Sequence, residues 1–329
     1  MLSASSLNVN RKLRRVLVLF PGSLGDVICA LPAFTSLCRS STEKITLATR
    51  GEAFDFCTLF LASYADVISL EGATFSQLFL NPQHILLSEK FFQLFSHFST
   101  IFSWYGHEKS EVRENLLRFS SADVQSFPFF TGQEDWHAVF YYLSCIGKKT
   151  MRCPSLSLPE DMRRWGESFF RQYSKKIFSP TLVIHPGSGG KRKRWDPKGF
   201  LQVGRWWQKT RHGNVLTLLG PAEENELLQW RSMGEVASKL SLLQISALLS
   251  QADFYLGNDS GVSHLAGAVG ARGVVLFGPT LPQQWRPLGG NLSIIRNSIY
   301  RGNFPARDGI SLEEITVGEV IANLILIGG

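Results

Sequence analysis

Apolar positions fall into short, nearly continuous runs separated by longer amphipathic stretches. Near the start, "RRVLVLF" (14–20) is β-branched and apolar, "PGSLGD" turns the chain, and "DVICALPAFTSLCRS" (26–40) has helical spacing with Pro32 as a kink or restart. "KITLATR" (44–50) and "ADVISLE" (65–71) predict further buried strands, with helical patterns around 89–99, 108–119 and 134–146. The first half is therefore α/β.

A turn-rich stretch, "CPSLSLPED" (153–161), precedes a charged amphipathic helix over 160–176, along which the sequence places a domain boundary. The second half then alternates: strand "TLVIHPG" (181–187), helix 197–211, strand "NVLTLLG" (214–220), helices 222–233 and 241–250, strand "ADFYLGN" (252–258), helix 260–270 and strand "GVVLFG" (273–278). Strands alternating with helices of this length predict a parallel, doubly wound sheet, whose ligands bind beyond the carboxyl ends of the strands. The two halves read as two copies of one architecture.

With 329 residues, 44% hydrophobic and 19% charged, both halves can hold a full core. The net charge of +7 fits an anionic partner but does not choose among nucleic acid, a phosphorylated metabolite and an acidic membrane surface. Nucleic acid is disfavoured, because the Phe residues sit apart from the cations. The five cysteines lie in the first half with no C-x-x-C pair, so neither a disulfide framework nor a zinc site is indicated and a reducing cytoplasm is expected. The apolar stretch Val16 to Phe20 is too short for a signal peptide, and no uncharged run approaches the ~20 residues that span a bilayer.

Each confidently read strand of the second half ends in a polar loop. "NDSGVSH" (258–264) opens a helix, and a helix N-terminus with Gly261 beside it admits a phosphate. Taken alone, capping by Asp259 or Ser260 explains that loop, and His264 is by default a structural histidine. "HPGSGGKRKRW" (185–195) moves the balance toward anion binding, since Gly187, Ser188, Gly189 and Gly190 form an amide-rich loop followed by four cations. The spacing is neither a Walker loop nor a dinucleotide fingerprint. In "GPAEE", Glu223 and Glu224 stand where a carboxylate meets ribose hydroxyls, or where helix-start charge is favourable. Asp26 in "PGSLGD" is either a helix-start acid or a general base.

These loops, in this order, resemble glycosyltransferase family 9, the bacterial heptosyltransferases of lipopolysaccharide core assembly. The matching stretches are "RVLVLFPGSLGDVICALPAF", "VIHPGSGGKRKRWDPKGF", "LLGPAEENEL" and "ISALLSQADFYLGNDSGVSHLAGAVGARGVVLFGPTLPQQWRPLG". The chain departs from the family pattern in its four consecutive cations and in "WDP", which leaves open which of Lys191 to Arg194 meets phosphate.

The resemblance implies a GT-B fold, two Rossmann-like doubly wound parallel-sheet domains facing a cleft. Residues 1–160 would bind the acceptor, 177–310 the nucleotide sugar, and a last helix, 311–329, is a candidate to pack back on the first domain. It implies an inverting, cytoplasmic transferase that moves a heptose from an ADP-linked donor to a lipid-linked saccharide at the inner face of the cytoplasmic membrane, with no metal and no cofactor. Asp26 corresponds to the catalytic aspartate. Ser188, Gly189 and Lys193 fall in the mid-chain donor loop, Glu223 at the ribose-contacting acid, and Asp259, Ser260, Gly261 and His264 at the diphosphate loop. His107, Lys109, Arg113 and Arg118 are candidate acceptor contacts, although a solvated helix face explains them equally well. A GT-B enzyme using a UDP-sugar and a non-catalytic nucleotide-sugar-binding protein are the alternatives.

Overall fold

The computed structural model describes residues 13–83, 89–130, 135–173, 179–220, 223, 226–296 and 312–328. The chain divides into two units, Met1–Arg152 and Cys153–Gly329.

The first unit contains β1 (Val16–Leu19), α1 (Leu24–Ser40), β2 (Ile45–Thr49), α2 (Gly51–Leu61), β3 (Ala65–Ser69), α3 (Ala73–Ser76), α4 (Glu89–Ser96), β4 (Thr100–Ser103), α5 (Ser110–Phe119), β5 (Asp123–Ser126) and α6 (Ala138–Cys145). All strand pairs are parallel, in the order β3-β2-β1-β4-β5. β1 is buried at every residue, as an apolar run covered by helices on both faces should be. Its register sets Leu17 opposite Thr46 on one side and Ile101 on the other. α1 runs through Pro32 as one continuous helix, so the chain does not restart there. One core cluster gathers Leu17, Leu19, Phe75, Phe91, Phe95 and Phe119, which accounts for many of the Phe residues of this half.

The second unit contains α7 (Glu160–Tyr173), β6 (Thr181–His185), α8 (Pro197–Thr210), β7 (Asn214–Leu219), α9 (Leu227–Arg231), β8 (Glu235–Ser238), α10 (Leu242–Gln251), β9 (Phe254–Asn258), α11 (Gly261–Ala268), β10 (Arg272–Phe277), α12 (Pro282–Trp285), β11 (Asn291–Arg296) and α13 (Val317–Gly328). Its parallel sheet runs β11-β10-β9-β6-β7-β8. The first unit ends at Arg152, short of the residue 160 expected from the sequence, and α7 belongs wholly to the second unit, where it packs on α10. α13 packs on α8, β10 and β11 and sends Val320 and Leu324 into the second unit's core.

Both sheets reverse strand order beside their first strand. In the first unit the switch lies between β1 and β4, and in the second between β6 and β9. A crevice opens at such a point at the strands' carboxyl ends. The turn that leads into Asp26, in the first turn of α1, follows β1, and the loops carrying Ser188 and Asp259 follow β6 and β9.

Candidate functional site

In the first unit Gly22 is required by close approach, since a Cβ there would stand 2.5 Å from the Phe20 ring and 2.6 Å from Asp26 Cβ. Asp26 sits in the first turn of α1, and its Oδ2 accepts from the Ser23 N–H at 2.8 Å and from Ser23 Oγ at 2.7 Å. The capping role is therefore real. One carboxylate oxygen carries both bonds, and Asp26 remains half-exposed. Below the loop lie Phe20, Phe34, Trp104, Phe129 and Tyr142 in edge and tilted contact. Burial first, and the Asp26 charge second, raise the Tyr142 hydroxyl well above its ordinary pKa. The phenol is therefore neutral beside the Asp26 carboxylate. Phe130, which the sequence did not single out, packs edge-on against Phe129 at 4.8 Å and stays 58% exposed.

In the second unit Asp259 organises the switch point. Its side chain is 5% exposed and takes Lys193 Nζ at 2.8 Å, and Thr280 Oγ1 donates to the same oxygen. Its main chain is committed as well, with the N–H donating to Leu276 O at 2.9 Å and the carbonyl accepting from Ser188 Oγ at 2.7 Å. Asp259 therefore braces the loops and aims Lys193, whose side chain is 34% exposed. Ser260 caps α11 by accepting from the Ser263 N–H at 3.3 Å. The amides of Gly261 and Val262 stand in the first turn, where a helix supplies no carbonyl partner. His264 is buried in α11.

The four cations divide by function of position. Lys193 meets Asp259, whereas Arg194 donates through Nε and Nη2 to Ser188 O at 3.1 and 2.8 Å and pairs with Glu223 at 2.9 Å. Lys191 and Arg192 line a cavity of about 450 Å3 with Arg194, Trp195, Glu223 and Trp230. Glu223 is buried and also accepts from the Gly220 N–H at 3.2 Å. Gly187 is glycine because a Cβ would sit 2.7 Å from Glu223 Oε2 and 2.9 Å from the His185 ring. Gly189 has open space around it. Trp195 pins the loop, its main-chain N–H donating to Asn258 Oδ1 at 3.1 Å and its indole N–H to Ile315 O at 3.0 Å. Beneath the loop, burial lowers the His185 pKa to about 4, and its Nδ1–H donates to Leu218 O at 3.1 Å, so the ring is neutral at pH 7.

The structure thus brings Ser188, Lys193, Asp259 and Ser260 together, with Glu223 joined through Arg194. Thr280, which the sequence did not single out, and Arg194, one of the four cations left open as phosphate contacts, complete the network. Of the acceptor candidates, His107 Nδ1 lies 3.0 Å from Ser126 Oγ and Arg118 reaches Pro82 O and covers the Phe119 ring, while Lys109 stands at the N-cap position of α5 without a side-chain cap bond and Arg113 is exposed. Burial pushes the thiols of Cys57 and Cys145 up to about 12, which removes them as nucleophiles at neutral pH. Among the described residues no group of three or more His, Cys, Asp or Glu side chains is placed to hold a metal ion, and no helix is long and apolar enough to cross a membrane.

Comparison with known proteins bears on both units. A glycosyltransferase family 9 structure from Veillonella parvula DSM 2008 superposes with a TM-score of 0.74 at 17% identity, covering 96% of this chain and 98% of that one. The E. coli ADP-heptose lps heptosyltransferase II gives 0.69 at 18% identity over 95% and 98%. E. coli heptosyltransferase WaaC with ADP-2-deoxy-2-fluoro heptose gives 0.61 at 16% identity over 95% and 99%. These likenesses agree with the GT-B fold of two doubly wound α/β units. Among curated proteins, none matches the sequence. The model of glycosyltransferase family 9 (heptosyltransferase) matches residues 135–308, which takes in the whole second-unit network and leaves Asp26 outside. With more than half of its length matched, and with the loops of that stretch assembled at one switch point, the chain belongs to glycosyltransferase family 9.

Proposed function

We propose that this glycosyltransferase moves a heptose from an ADP-linked donor to a lipid-linked saccharide, such as a lipopolysaccharide inner core, with inversion at the anomeric carbon. The observation that carries the reading is the buried Asp259, which holds Lys193 beside the opening amides of α11 at the second unit's switch point. A diphosphate placed there meets one ammonium and two or more amide N–H groups, all fixed before the donor arrives.

In the reaction the acceptor hydroxyl loses its proton to Asp26 as its oxygen attacks the anomeric carbon. The bond to the diphosphate breaks, and the electron pair leaves with ADP. Lys193 and the α11 amides stabilise the charge that develops on the diphosphate, the task for which preorganised donors are most effective. Glu223 faces the ribose hydroxyls with whatever accepting capacity Arg194 and Gly220 leave. Asp26 begins the reaction with one carboxylate oxygen held by Ser23, which fixes the direction of the other. Lys193 and the α11 amides do the work that a divalent ion does elsewhere, so no metal is required. The protein acts in the cytoplasm, in peripheral contact with the membrane that carries its acceptor.

The reading is tested by incubating the protein with ADP-heptose and heptose-deficient lipopolysaccharide and following ADP release and product mass. Turnover is expected, and Asp26→Asn is expected to lower kcat by roughly 10²–10⁴, the usual contribution of a positioned base. Turnover with UDP-sugars instead would move the protein to another donor class. Binding of ADP-heptose with no transfer to any such acceptor would leave a binding protein.

A further inference from the structure

Away from both switch points, the first unit carries a pocket of about 120 Å3 between the middle of α1 and the turn after α6, lined by Ser36, Leu143, Lys148, Lys149, Thr150 and Arg152. At roughly 10–15 Å3 per water, this volume takes several waters or one phosphoryl group. Ser36 lies ten residues beyond Asp26 on α1, roughly 15 Å away at 1.5 Å rise per residue, so the pocket is separate from the catalytic carboxylate.

Cations after a helix C-terminus commonly serve the last carbonyls of that helix. Here the backbone has taken that role. Gly147 adopts φ +74°, its N–H donates to Ser144 O at 2.9 Å, and the Lys148 N–H donates to Leu143 O at 2.9 Å. This paired closure caps α6 without any side chain and turns Lys148 to Arg152 beside α1. Lys148, Lys149 and Arg152 make no ion pair with a carboxylate among the described residues. Arg39, three residues beyond Ser36 on α1, adds a fourth cation to the same side. The lining offers ammonium, guanidinium and hydroxyl donors and no carboxylate, and three like charges around so small a volume repel one another until an anion enters.

We infer that this pocket is a phosphoryl-group site, taking a phosphomonoester dianion from a lipid headgroup or from a soluble phosphate. Three cations match the charge of that group better than that of a single carboxylate, and the two hydroxyls supply neutral donors to its remaining oxygens. The site does not depend on the identity of the sugar donor.

The test follows backbone hydrogen exchange over 146–152 in the full chain and in Lys148→Ala/Arg152→Ala, two positions outside the apolar core. Millimolar inorganic phosphate is expected to slow exchange there, and the double substitution to weaken that protection at least tenfold while leaving 258–264 unchanged. Phosphatidylcholine vesicles containing phosphatidic acid are the second probe. Protection by vesicles, competed by phosphate, assigns the site to a lipid headgroup, and protection by free phosphate alone assigns it to a soluble phosphoester. Absence of protection by both probes, or equal protection in the double variant, overturns the inference.

Discussion

Asp259 shows how one buried side chain can tie several loops together, bonding Lys193 and Thr280 through its carboxylate. Its carboxylate is buried, and removing one partner of a buried charged group costs more than the net worth of the bond. Thr280→Val leaves the Asp259 oxygen to Lys193 alone, and the expected loss is about 1–3 kcal/mol of stability, read as a lower urea midpoint at unchanged slope. His185 gives the second residue-scale prediction. Its folded pKa of about 4 lies below the unfolded 6.5, so the unfolded chain binds the extra proton first as pH falls. The contribution of neutral His185 is whole above pH 6.5, declines between 6.5 and about 4, and falls no further below that. Between pH 6.5 and 4, His185→Asn should therefore lose stability less steeply than the parent chain, and parallel curves in urea titrations would refute the assignment.

At the scale of elements, α13 is part of the second unit's fold. Leu324 is 1% exposed in that core, and Leu324→Ala is expected to cost about 2–5 kcal/mol, seen as a lowered midpoint of the thermal transition that involves residues 153–329. The sequence was most readable where elements were long or fully buried. β1, β6 and β9 and the helices after them stand within a few residues of their expected bounds, because continuous apolar runs and helical spacing leave little choice there. α2, β4, β5, β8 and β11 were not foreseen. β5, β8 and β11 lie at sheet edges, where one side of the strand is unpaired and side chains are half-exposed, so "DVQS", "EVAS" and "NLSIIR" lack the apolar signal of an interior strand. β4 is buried but only four residues long. The helix expected over 222–233 appears as α9 over Leu227–Arg231, with 221, 222, 224 and 225 outside the described residues. Site contacts follow the same division. The loops were legible from their glycines and charges, but the partners of Lys193 and Arg194 were not, because Asp259 is 66 residues from Lys193 and no local pattern encodes that pairing.

At the scale of the molecule, two sheets of the same winding carry different chemistry at equivalent places. The first unit presents a carboxylate over an aromatic bed, and the second presents a braced cation and helix amides. That division predicts separable effects on donor binding and on turnover, provided that Lys193 and the α11 amides hold the diphosphate and Asp26 does not. Calorimetric titration of ADP, UDP and GDP into the full chain, into Asp26→Ala and into Lys193→Gln tests this most directly, since Gln keeps a donor beside Asp259 while removing the charge. ADP is expected to bind in preference to the others, unchanged by Asp26→Ala and weakened roughly ten- to a hundredfold by Lys193→Gln, the range of a charge-assisted hydrogen bond. Binding of no nucleotide, or ADP affinity indifferent to Lys193 and dependent on Asp26, would contradict the account.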